Sequence, residues 1–193
     1  MPGSVCLPYT GDPDARPFDL ILEISGNISL MKRGDGVNLW QEFYRKHQPD
    51  KVGAKVSFHY EKGIDAALKR KYIRFAKWLR KTYIFPVRLH VYILNAETVA
   101  LKNGQSVYGK ICWYPKRTPA IKVPSAIDKA LLREYTMDEI YEQILSSLVH
   151  ELSHYYQWVK GLEQSKATSE RQANFYRYRI LEEYYEQEKV VAP

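Results

Sequence analysis

From Ile64 to Tyr83 the apolar residues Ile64, Leu68, Tyr72, Phe75, Ala76, Leu79 and Tyr83 recur at intervals of three and four, with lysines and arginines between them. That spacing predicts an amphipathic helix. The period then switches to two: Val87, Leu89, Val91 and Ile93 alternate with Arg88, His90 and Tyr92, the pattern of a strand with one buried face. Two more strands are predicted, over 107–114 after the Asn103-Gly104 turn and over 120–123 beyond the loop 115–119. Pro119 and Pro124 bound the last of these, and because proline has no N–H for a ladder, the pattern predicts an edge strand. Thr136 and Glu139 have capping-box spacing, and Ile140, Tyr141, Ile144, Leu145, Leu148, Val149 and Leu152 then trace one helical stripe to Gly161. Another helix is predicted to begin near Ser165 to Ser169, where Ser169 and Gln172 have the same spacing, with Ala173, Tyr176, Ile180 and Tyr184 on its apolar side and an exposed acidic end.

Residues 1–60 lack a clear period. Pro8, Pro13 and Pro17 break their start, Arg33-Gly34-Asp35-Gly36 is turn chemistry, and a short helix is expected over 38–46. The chain is thus divided into an N-terminal extension of unknown role, 1–60, and a domain, 61–193. The order helix, three strands, helix, helix is that of an α+β domain.

Composition narrows the class. With 193 residues, 45% of them hydrophobic, and only 10 glycines and 10 prolines, the chain has a real core, and collagen-like or disordered readings fail. No apolar run reaches the roughly 18 to 20 residues of a membrane span, since Leu20-Ile21-Leu22 is cut by Glu23. Residues 1–20 hold Asp12, Pro13, Asp14 and Pro17 where a secretory signal would be basic and then apolar, so a cytoplasmic protein with no membrane partner is expected. Cys6 and Cys112 are too few for a disulfide framework. The net charge of +7 is concentrated in 61–90, where nine bases stand against Glu61 and Asp65. Such a stripe suits a solvated helix face, or a surface for nucleic acid or an acidic protein.

The chemistry lies in His150-Glu151-Leu152-Ser153-His154, an H-E-x-x-H pattern inside the capped helix. Histidines four apart sit one turn above each other, so both can reach one Zn²⁺ at about 2.0 to 2.1 Å, with Glu151 beside them as general base for a metal-activated water. A catalytic zinc takes three protein ligands. No histidine follows His154, so the third ligand is a carboxylate, Glu163 or Glu170. Glu170 is preferred, because two antiparallel helices joined by a short loop would bring its turn beside the metal. Asn174, one turn further on, is expected to orient a ligand histidine through its other ring nitrogen. An oxyanion donor is expected among Tyr155, Tyr156, Tyr176 and Tyr178, while His47, His59 and His90 are read as structural.

His150-Glu151-Leu152-Ser153-His154 followed by Glu170-Arg171-Gln172-Ala173-Asn174-Phe175 resembles the gluzincin metallopeptidases and is similar to the ImmA/IrrE-type peptidases among them. The resemblance covers residues 136–185. It implies a minimal zincin-like domain that hydrolyses peptide bonds, with Zn²⁺ on His150, His154 and Glu170 and with Glu151 as base. It also implies that the strand Ala120, Ile121, Lys122 and Val123 holds an extended peptide substrate.

Overall fold

The structure, a computed structural model, describes residues 6–8, 55–114, 117–128, 131–162 and 164–191. Met1–Tyr9 and Gly53–Pro193 belong to one compact unit. The expectations for 10–52, including the turn at 33–36, the helix over 38–46 and His47, lie outside the described residues, as does Glu163.

Among the described residues the architecture is α+β, with three α-helices and a mixed sheet. Where three strands were expected, the main sheet has five: β1 (Cys6–Pro8), β2 (Val56–Tyr60), β3 (Leu89–Leu94), β6 (Lys110–Tyr114) and β7 (Arg117–Pro124), in the order β1-β6-β7-β3-β2. Two of them come from the stretch read as an extension. Strands β2, β3 and β7 run parallel, and β6 and β1 are antiparallel additions beyond β7. The parallel step from β2 to β3 is made through helix α1 (Ala66–Thr82), as parallel pairing requires a crossover. A small hairpin, β4 (Val99–Ala100) and β5 (Ser106–Val107), turns at Gly104, whose φ of 84° suits glycine.

Strand β7 corrects the sequence reading. Ala120, Ile121 and Lys122 are paired on both sides, to His90–Tyr92 of β3 and to Lys110–Cys112 of β6, and Val123 pairs with Ile93 of β3, so this is an interior strand with no free edge for a substrate. Its prolines sit where the ladder is interrupted. Pro119 falls in the irregularity between the Cys112↔Ala120 and Tyr114↔Arg117 pairs, before pairing with β3 begins, and Pro124 ends the strand. The strand expected over 107–114 is also divided, at Tyr108-Gly109.

Leu89, Val91 and Ile93 alternate inward from β3, and with Ile111, Ile121 and Val123 they form the sheet's share of the core. Helix α1 adds Leu68, Tyr72, Phe75 and Leu79, packs on β2, and is capped by Asp65, which accepts hydrogen bonds from the N–H groups of Ala67 and Leu68. Helix α2 (Met137–Val159) crosses β6 and β7 and packs on the third helix, α3 (Lys166–Val191). Its start is the expected capping box at Thr136 and Glu139. Its end is a Schellman turn: Gly161 lies at φ 62°, its N–H bonds to the Trp158 carbonyl, and the Leu162 N–H reaches the Gln157 carbonyl.

The short loop returns the chain antiparallel. Helix α3 begins at Lys166, within the start expected over 165–169; the Ser165 hydroxyl takes the Thr168 N–H, and Ser169, with its capping-box spacing to Gln172, lies inside the helix. Its acidic end is only partly solvated. Tyr83 donates to Glu183 at 2.8 Å, Trp78 donates to Gln187 at 2.8 Å, and Arg74 pairs with Glu188, which tie this half of α3 to α1.

Candidate metal centre

Helix periodicity aims the motif in two directions. His150 and His154 lie on the face of α2 that meets α3, while Glu151, about 100° further round, is carried under β6. The antiparallel return puts Glu170, in the second turn of α3, against both rings. Glu170 Oε2 is 3.2 Å from His150 Nε2, Glu170 Oε1 is 3.6 Å from His154 Nε2, and the two Nε2 atoms are 3.1 Å apart. A tetrahedral ion with ligands at about 2.0 to 2.1 Å requires ligand atoms about 3.3 Å from one another, so these separations match the edges of such a site. Among the described residues, this His-His-Glu group can hold a metal ion.

The far nitrogens set which lone pairs converge. His150 Nδ1 lies 3.1 Å from Asn174 Oδ1, and His154 Nδ1 lies 2.7 Å from Gln157 Oε1. With those amide oxygens accepting, each ring carries its proton on Nδ1 and turns a lone pair on Nε2 toward the carboxylate. Gln157 is itself held: Ser169 Oγ donates to its oxygen at 2.6 Å, and its amide nitrogen donates to the Ser169 carbonyl and to Gln172 Oε1. The sequence reading placed no orienter on His154. A glutamine three residues after His154, on the helix face that carries both histidines, is the signal that marks it.

The charges point the same way. Burial opposes the charge on Glu170, yet its close contacts with His150 and His154 outweigh it and hold the carboxyl at about 2. Burial also opposes a charged His154, but the bond to Glu170 and the field of Glu151 raise it. His150, more deeply enclosed, is lowered by burial despite Glu170.

Glu151 is 1% exposed and its Oε2 has no hydrogen-bond partner. Burial pushes its carboxyl up to about 8, against the opposing field of His154 and a backbone hydrogen bond from Ile111. The close approach of β6 is made at Gly109, where an added Cβ would stand 3.0 Å from Glu151 Cγ and 3.2 Å from Oε1. That is why the strand breaks at a glycine.

The tyrosines expected near the chemistry are otherwise employed. Tyr155 donates to the Val87 carbonyl and accepts from the Val87 N–H, and Tyr156 donates to the Ile84 carbonyl at 2.9 Å. Tyr178 accepts a hydrogen bond from Arg177, and Tyr176 is buried. His59 and His90 lie across β2 and β3, 2.9 Å apart and stacked near Tyr92, on the opposite face of the sheet from Leu89, Val91 and Ile93. The basic helix face has partners as well: Lys71 pairs with Asp138 at 2.6 Å, Arg80 donates to the Val56 carbonyl, and Lys69 lies over the Tyr60 ring. No helix among the described residues is long and apolar enough to cross a membrane.

Comparison of the chain with protein-family models, with curated proteins and with solved structures found no match.

Proposed function

We propose that the protein is a zinc-dependent endopeptidase, a zincin-like enzyme of the gluzincin kind that its motifs resemble. The observation that carries this reading is the pairing of three converging donors with a buried carboxylate beside them, Glu151, whose outer oxygen has no partner. A scaffold that only stored a metal would have no use for that carboxylate, and its burial carries a cost unless it takes part in chemistry. His150, His154 and Glu170 would hold the metal, which supplies a Lewis acid and an acidified water. Glu151 takes the proton of the attacking water and returns it to the amine when the C–N bond breaks.

The substrate is a peptide or protein. The other reading, a binding module that contacts nucleic acid or an acidic protein through residues 64–83, has less support, because Lys69, Lys71 and Arg80 are engaged within the fold.

The test is Glu151→Gln, which keeps the shape and removes the base. Zinc content should stay at the wild-type level, while hydrolysis of an unfolded substrate such as casein falls by roughly 10² to 10⁴-fold. Cleavage at the wild-type rate would overturn the assignment, and a wild type that cuts nothing with zinc bound would favour the binding module.

A further inference from the structure

Helix α3 presents a third side chain to the site. Glu170, Asn174 and Arg177 are spaced by four and three residues and so share one face, the face that meets α2. Arg177 lines a small cleft together with Gly109, Ser147, His150 and Glu151. Its guanidinium lies over the Tyr178 ring, with Cζ 4.7 Å from the centroid, and donates to the Tyr178 hydroxyl, which fixes its plane. Its Nε is buried with no hydrogen-bond partner, and among the described residues no carboxylate pairs with it. An arginine is always protonated, so this is a permanent cation with an unused donor, on a residue that lines the same cleft as Glu151.

Buried donors without acceptors are rare, and at a reaction centre they point to an acceptor that arrives with the substrate. We infer that the Arg177 guanidinium is the anion-binding group of this site, there to hold the negatively charged oxygen formed when water adds to a substrate carbonyl. In that step the water oxygen bonds to the carbonyl carbon, Glu151 takes the water's proton, and the C=O π pair moves onto the oxygen beside Arg177. Collapse restores the C=O bond, breaks C–N, and passes the proton from Glu151 to the amine. The inference rests on the peptidase reading for its substrate, but not for its anion site.

Two measurements test it on the full chain loaded with zinc. The first is titration calorimetry with inorganic phosphate, a tetrahedral anion, on wild type, Arg177→Lys and Arg177→Met. The wild type should bind phosphate, Arg177→Met should bind at least tenfold more weakly, and Arg177→Lys should fall between, with zinc content and melting temperature unchanged. The second is peptide hydrolysis. Arg177→Met should lower kcat by roughly 10² to 10³-fold, as loss of an oxyanion donor does, and change KM by less than about threefold. Equal phosphate affinity in wild type and Arg177→Met, no binding by the wild type, or zinc lost along with the arginine would each overturn the inference. So would a rise confined to KM, which would mark a contact to a resting carboxylate. If the wild type cuts no peptide while the phosphate pattern holds, the peptidase reading fails and the anion site stands.

Discussion

Replacing Glu170 by glutamine removes the negative charge from the candidate metal centre and leaves its volume. In the wild type the two imidazole Nε2 atoms lie 3.1 Å apart and face the two oxygens of the Glu170 carboxylate at 3.2 and 3.6 Å, so metal binding needs little rearrangement. A ligand that binds only the folded state stabilises it by RT ln(1 + [L]/Kd), about 2.7 kcal/mol when free zinc is 100 times Kd. For a chain of 193 residues each kcal/mol shifts the melting temperature by about 2 to 4 °C. Wild type with zinc should therefore melt roughly 5 to 10 °C above wild type with EDTA. In Glu170→Gln the neutral amide is a poor zinc ligand, and its NH₂ group is a donor where the metal needs a lone pair. The gap between the zinc and EDTA samples should shrink to about 1 °C or less, and metal content should drop from one per chain to a small fraction. Differential scanning calorimetry on paired samples, with elemental analysis of the same stocks, reads both. A glutamine variant that keeps one zinc per chain and the full thermal gap would refute the coordination set.

Two further perturbations probe the frame around the site. Asp65 caps α1 and is held below the usual carboxylate range, first by the Tyr141 hydroxyl at 2.6 Å and then by the Leu68 N–H, so Asp65→Ala should cost about 0.5 to 2 kcal/mol in urea unfolding at pH 7. A depressed carboxyl contributes stability above its unfolded pKa of about 3.9 and loses it as pH falls through the lower folded value, so the deficit should shrink below about pH 4; a constant deficit would refute the role of the charge. Gly109→Ala sets a methyl 3.0 Å from Glu151 Cγ and should cost about 1 to 3 kcal/mol by overpacking, with slower cleavage and zinc retained; unchanged stability and rate would show that β6 does not hold Glu151 in place.

The parts of this molecule governed by near neighbours are legible in the sequence alone. Helix α2 announces itself because its cap, stripe and terminal glycine are local, and the i, i+4 geometry that joins His150 to His154 is a property of any helix. The approach of Glu170 follows from a short loop and an antiparallel return. What stays hidden depends on distant partners. Pro119 and Pro124 imply an edge only if every residue between them needs the same neighbours, and the break in the ladder with β6 removes that condition. The pairing of β2 with β3 is made across α1, and nothing within Val56–Tyr60 names its partner. Ser165 and Ser169 offer similar capping chemistry, and tertiary contact decides between them: Ser169 is taken by Gln157, which leaves Ser165 to cap. Gln157 and Arg177 lie one and two turns from ligand residues on the same helix faces, so helical spacing alone points to both once the ligands are known.

The two neighbouring tyrosines on α2 have a mechanical consequence. Adjacent residues of a helix point about 100° apart, so the hydroxyls of Tyr155 and Tyr156, bonded to the carbonyls of Val87 and Ile84, act as two pins set at an angle. One pin would still let the helix roll about the bond; two at this angle stop it from rolling and from sliding along its axis. They follow His154 directly, so the azimuth of both imidazoles is locked from the end of the helix opposite its capping box. The two histidines are then held as a rigid jaw, with their Nε2 atoms 3.1 Å apart, near the spacing that a tetrahedral ion would need.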